Sequence, residues 1–305
     1  MSRPAIDAIL LKVLHAVPFQ LTTEGGPQAC RERFNALPRA ALYPEVSGED
    51  RVIAGVPVRI YRPPSVPPAA AGVLFFHGGG WVVGDLDTYD GTARLHAVAT
   101  GAIVVAVDYR LAPEHPYPAA VQDAWAVTQW VGAHTDELGI DQNRLAVAGD
   151  SAGGNLAAVI TQLARDAGGP RLCAQLLWYP ATTWDTSLPS FTENAHAPIL
   201  NLESIAGFSH WYAGEVDLRN APATLIPARA ESLAGLPPAI IAVAGYDPLR
   251  DDGTKYGELL SAAGVPTAVF NAETLVHGYL GYHGVVPAAT EAADQALAAL
   301  KAALA

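Results

Sequence analysis

Gly149-Asp150-Ser151-Ala152-Gly153-Gly154 is the stretch whose reading decides the fold. It follows an apolar strand-like run, Leu145 to Ala148, and precedes a helix-like run from Asn155 to Ala164. Gly149 and Gly153 carry no Cβ, so strand and helix can close on a sharp turn that leaves Ser151 exposed in strained backbone. The helix then starts at the serine, and its unpaired N–H groups favour negative charge developing there. A Gly-x-Ser-x-Gly run at such a joint is the pattern of an elbow that presents a nucleophile.

A second glycine run lies upstream. His77-Gly78-Gly79-Gly80 directly follows the strand-like Ala71 to Phe76. Three consecutive glycines add no packing and cost conformational entropy, so a backbone requirement must justify them. Acyl transfer supplies one. Its tetrahedral intermediate carries an oxyanion, stabilised by N–H donors fixed about 2.7–3.1 Å from where that oxygen will sit. The expected donors are the amides of Gly79, Gly80 and Ala152, with Gly78 forming the turn and counted with them. A phosphate-cradling loop would need a following Gly-Lys-Ser/Thr, which is absent.

A serine nucleophile needs a base and an acid, and their chain order discriminates between folds. In α/β-hydrolases the order is serine, then an acid, then histidine. Downstream of Ser151 the apolar run Ala239 to Ala244 ends in Gly245-Tyr246-Asp247-Pro248, with Asp247 where strand gives way to loop. Pro248 suits the first turn of a following helix. After a further strand-like segment, Thr267 to Phe270, comes His277-Gly278-Tyr279. Asp247 and His277 thus leave the same edge of a parallel sheet as Ser151, where such sheets bind ligands.

Other candidates are weaker. Asp251 and Asp252 fall in the first turn of the next helix, where acids commonly compensate the dipole. Asp150 should point away from the nucleophile. Of nine histidines, His15, His96, His134 and His210 lie in helix-like segments and read as surface groups or satisfied partners. His283 is the one serious rival to His277, and the glycine after His277 lets the loop turn and present the ring.

HGGGWVVGDLDTYD from His77, VDYRLAPEHPYPAA from Val107, GDSAGGNLAA from Gly149, YDPLRDDG from Tyr246 and HGY from His277 occur in this order and spacing. Together they resemble the bacterial branch of the hormone-sensitive-lipase family of esterases, from about Val58 to the C-terminus. The resemblance implies an α/β-hydrolase fold: a mostly parallel eight-stranded sheet with helices on both faces and a helical cap. It implies hydrolysis of carboxylic esters without a cofactor or metal, on short- to medium-chain substrates. Carried over, Ser151 is nucleophile, Asp247 acid and His277 base, with the oxyanion loop at His77 to Gly80. Trp81, Asp252 and Tyr279 depart from the residues common at their positions, and none is a catalytic group. The family also points to a homodimer through the sheet edge near Thr267 to Phe270, an edge that needs protection.

Strands and helices alternate from Asp50 onward, as a parallel sheet covered on both faces requires. Val52 to Ala54 and Val56 to Tyr61 read as a hairpin about Gly55. Val73 to Phe76, Ile103 to Val107, Leu145 to Ala148, Ala174 to Trp178, Ile240 to Val243 and Thr267 to Phe270 supply the remaining strands. Helices fall around Asp87–Ala99, Ala119–His134, Asn155–Ala167, Asp251–Ala263 and Ala288–Leu304. Two segments break the alternation, residues 1–45 and 187–229, leaving 46–186 and 230–305 as the core. Long excursions from a compact domain are usually lids or binding segments. These two are expected to pack together as a cap above Ser151, with Trp81, Leu202, Ile205, Phe208 and Trp211 lining the substrate pocket.

At 305 residues the chain suits one large domain with a modest insertion. A net charge of −12 argues against a nucleic-acid partner. No uncharged apolar run long enough for a membrane span occurs, and Lys12 interrupts the apolar start, which reads as an amphipathic helix of a cytoplasmic protein. Cys30 and Cys173 are far apart and expected to be free. The expected partner is a small-molecule ester, and activity should fall in acid as His277 takes up a proton. An amidase, lactonase or carbamate hydrolase would use the same triad. A non-enzymatic receptor of this fold, as gibberellin receptors are, would have its machinery disabled, whereas here all three positions are filled.

Overall fold

Side chains from Val73 to Phe76 and from Ile103 to Val107 are almost wholly buried, which only a sheet covered on both faces allows. The computed structural model describes residues 3–39 and 42–305. Met1, Ser2, Ala40 and Ala41, part of the expected 1–45 segment, lie outside the described residues. The strands are β1 (Ser47–Ile53), β2 (Val56–Arg62), β3 (Ala70–Phe76), β4 (Ile103–Val107), β5 (Ile140–Asp150), β6 (Ala174–Trp178), β7 (Ala239–Tyr246) and β8 (Thr267–Val276). They form one sheet of order β1-β2-β4-β3-β5-β6-β7-β8. The β1–β2 and β2–β4 pairs are antiparallel, and every pair from β4 to β8 is parallel. The expected α/β-hydrolase architecture is therefore present.

The helices are α1 (Ala8–Ala16), α2 (Gly26–Asn35), α3 (Asp90–Thr100), α4 (Ala119–Ala133), α5 (Thr135–Leu138), α6 (Ala152–Asp166), α7 (Pro189–Glu193), α8 (Leu202–Ala213), α9 (Arg250–Ala262) and α10 (Pro287–Ala303). Alternation along the strands sends Leu74, Phe76 and Val147 to the face holding Val127 of α4 and Leu156 of α6. Val73, Phe75 and Ala146 go to the other face, against Leu95 of α3 and Leu297 of α10. α3 begins three residues later than its sequence suggests. The Asp85 side chain accepts from Thr88 N at 2.7 Å and Thr88 Oγ1 from Asp85 N at 2.9 Å, so this stretch closes a turn of its own before the helix. β8 runs beyond Phe270 to Val276 with alternating exposure, the pattern of an outer strand, and delivers His277 at its end.

The N-terminal segment and the insertion between β6 and β7 meet. Leu21 N donates to Ile199 O at 2.9 Å, and Ser204 Oγ of α8 donates to Leu21 O. Arg31 of α2 reaches the glycine-run side of the core, donating to Val82 O at 2.8 Å and Ala112 O at 2.9 Å. Cys30 and Cys173 are both free thiols. Among the described residues no helix is long and apolar enough to cross a membrane.

Candidate active site

β5 ends at Asp150, and Ser151 turns the chain with φ 55° and ψ −114°, a conformation that L residues rarely hold. The turn survives because its neighbours lack side chains. A Cβ on Gly149 would lie 2.2 Å from Gly153 O, and one on Gly153 would lie 1.9 Å from Phe76 O. Ser151 N donates to Trp178 O at 2.8 Å, tying the elbow to β6. Gly153→Ala must therefore part α6 from β3. We expect no soluble protein, or a melting temperature lower by roughly 10 °C, in thermal unfolding; an unchanged melting temperature would contradict this packing.

His277 Nε2 lies 2.9 Å from Ser151 Oγ, and its Nδ1 lies 2.7 Å from Asp247 Oδ2. Asp247 is wholly buried, and its second oxygen accepts from Leu249 N at 2.8 Å. Asn194 Nδ2 donates to Asp247 O at 2.9 Å, fixing the loop from the insertion side. With the carboxylate accepting from Nδ1–H, Nε2 offers its lone pair to the serine hydroxyl. Tyr179 packs its ring against the imidazole, centroids 4.8 Å apart. His283 is elsewhere, with Nε2 2.9 Å from Asp294 Oδ1.

The amides of Gly79, Gly80 and Ala152 donate to no acceptor among the described residues, and Gly80 and Ala152 share a cavity wall with Ser151. Buried N–H groups normally find a partner, so these free ones are candidates to meet an anion. Gly79 and Gly80 hold φ 104° and φ 60°, which explains why glycine stands there. Gly78 differs: it packs on the Asp150 carboxyl, where a Cβ would lie 2.4 Å from Oδ2.

Ser151, Ala152 and Gly80 open onto a cavity of about 710 Å³. Trp81, Leu202, Ile205 and Phe208 stand in its wall, and Trp211 does not. Leu202, Ala206, Ser209 and Ala213 follow one line of α8 toward the cavity. Trp211 is nine residues from Leu202, about two and a half turns, and so faces the opposite way, behind Phe208. His210, read from sequence as a surface or satisfied group, is exposed and also borders the cavity. Trp184 was not singled out in the sequence. It closes the wall next to Trp81, rings 5.7 Å apart, and only its position just before the insertion signalled it. Asp252 stands in the first turn of α9, as expected, and is also buried, accepting from the backbone of Thr182, Thr183 and Trp184. It clamps the loop that carries Trp184.

The family model for the alpha/beta hydrolase fold matches residues 73–281. The chain belongs to the hormone-sensitive-lipase branch of the α/β-hydrolase family. This α/β-hydrolase is 63% identical over 305 residues to "Esterase LipI" of Mycobacterium tuberculosis, covering 98% of this chain and 95% of LipI. It is 52% identical to "Carboxylesterase NlhH" of the same species, covering 100% of this chain and 98% of NlhH. The crystal structure of DphMB1 is similar with a TM-score of 0.97 at 71% identity, covering 99% of this hydrolase and 100% of that chain.

Proposed function

We propose that the enzyme, a carboxylesterase by family, hydrolyses short- to medium-chain esters through a covalent acyl-enzyme on Ser151. The observation that carries this is one continuous chain of contacts, Asp247 to His277 to Ser151, ending at a cavity that the unpartnered amides of Gly80 and Ala152 also border. His277 Nε2 takes the hydroxyl proton while Ser151 Oγ bonds to the ester carbon, and the carbonyl electron pair moves onto oxygen. The amides of Gly79, Gly80 and Ala152 meet that oxyanion, with Gly78 shaping the loop. The imidazolium returns its proton to the departing alcohol. Water then repeats the sequence on the acyl-enzyme and frees the acid. Asp247 holds the imidazole tautomer and stabilises its charged form.

We assign the described part of 1–45 and residues 187–229 to a cap over Ser151. Its support is the pairing of Leu21 with Ile199 and the cavity wall supplied by α8. The mostly apolar lining favours uncharged acyl groups, and the family resemblance favours short to medium chains. Initial rates on chromogenic esters of increasing acyl length, with matched amides and lactones, test the assignment. Esters of short to medium chains should be fastest; faster amide or lactone turnover would overturn it.

The cavity wall yields a paired prediction. Phe208→Ala removes a ring from the wall beside Gly80 and should shift the optimum toward longer chains. Trp211→Ala should leave the chain-length profile as it is and lower only the melting temperature. An altered profile in the Trp211 variant, with none in the Phe208 variant, would reverse the assignment.

A further inference from the structure

Asp150 does not simply point away from the chemistry. It is 5% exposed, and its Oδ2 accepts from the Tyr89 hydroxyl at 3.2 Å. Its Oδ1 has no partner among the described residues, which is costly for a buried carboxyl without a purpose. Gly78 lies directly on this pair. A Cβ there would be 2.4 Å from Asp150 Oδ2 and 2.8 Å from the Tyr89 hydroxyl. The other side of the loop is held independently: Tyr109 donates its hydroxyl to His77 O at 2.6 Å and stacks on the His77 ring at 4.3 Å. His77 Nδ1, 2.7 Å from Gly78 O, closes the turn.

The loop is thus gripped at His77 and carried at Gly78, immediately before the amides of Gly79 and Gly80 assigned above to the oxyanion. We infer that Asp150 and Tyr89 are a positioning pair, whose hydrogen bond supports Gly78 and thereby aims the Gly79 and Gly80 amides at the oxyanion. This rests on the assignment of those amides and of Ser151 given above. A hole works through fixed donors, so a shift of a few tenths of an ångström at Gly78 weakens the transition state more than the bound ester. Burial pushes the Asp150 carboxyl up to about 7, against the opposing pull of Tyr89, His277 and the Gly78 amide. The Tyr89 hydroxyl donates to Asp150 Oδ2, a bond that an amide oxygen accepts as well, so a neutral group of the same shape should serve. Tyr109 and Tyr179 complete the titratable groups around it.

The test compares an oxoester with its thionoester, whose sulfur accepts hydrogen bonds poorly, in the full-length enzyme. Asp150→Ala and Tyr89→Phe should each lower kcat on the oxoester by about tenfold or more, with KM within about twofold. Their thionoester rates should fall much less, so the oxo-to-thiono ratio drops. Asp150→Asn should restore kcat to within about threefold of the parent, and the Asp150→Ala, Tyr89→Phe double variant should be little slower than the worse single one. An oxo-to-thiono ratio unchanged from the parent would overturn the proposal, whatever the absolute rates. If Asp150→Ala does not fold, Tyr89→Phe decides alone. Failure of the underlying assignment has a different signature: a parent enzyme whose Ser151→Ala variant still turns over the oxoester.

Discussion

Replacing Ser151 by alanine is expected to lower ester turnover by about 10⁵-fold or more while thermal unfolding stays where it was. The hydroxyl is the only group removed, and it is the atom that would bond to the substrate carbon. Alanine tolerates the same φ of 55° no better and no worse than serine, so the elbow persists. The residual rate should reflect the free amides and the cavity alone, which can still bind an ester and polarise its carbonyl. Initial-rate measurement on the preferred chromogenic ester, beside a melting curve, separates chemistry from folding. A variant that keeps even a hundredth of the parent rate would mean that the bond is broken elsewhere.

Asp247→Asn carries the second large effect, an expected fall in kcat of about 10⁴-fold. The side chain is wholly buried and held by Leu249 N, so asparagine fits the same space. What changes is the partner offered to His277. An amide can present N–H where the carboxylate accepted one, favouring the tautomer that turns an N–H rather than a lone pair toward Ser151. Nothing then stabilises the imidazolium. Single-turnover kinetics should show slow acylation, with substrate affinity little altered. His283→Ala is the matched control, since that imidazole pairs with Asp294 instead. It should leave kcat near the parent value. A large loss in the control with a small loss in Asp247→Asn would exchange their roles.

Much of this was legible in the chain because each feature had a local cause. Glycines at 149 and 153 are demanded by backbone atoms less than 2.5 Å from where their side chains would stand, and such demands leave a readable pattern. Buried strands such as Ile103–Val107 are apolar without interruption, and their ends could be read to the residue. β8 runs past the Phe270 expected from the sequence because an outer strand alternates, and Asn271 and Glu273 interrupt the apolar run. The cavity was less legible. Trp211 and Phe208 are both large and apolar, and only the phase of α8 against the sheet separates them. The wider roles of Asp252 and Asp150 were not legible for a related reason. Their roles come from partners far off in sequence, the loop at Thr182–Trp184 and the hydroxyl of Tyr89, which no neighbouring residue announces.

The most direct measurement of the central proposal is to treat the enzyme with a fluorophosphonate, digest it, and map the labelled peptide by mass spectrometry. The proposed mechanism requires a single stoichiometric adduct on Ser151, formed as activity is lost and blocked by prior occupation with a slow ester. An adduct on another residue that accounts for the inactivation, or full inactivation with Ser151 unmodified, would contradict it.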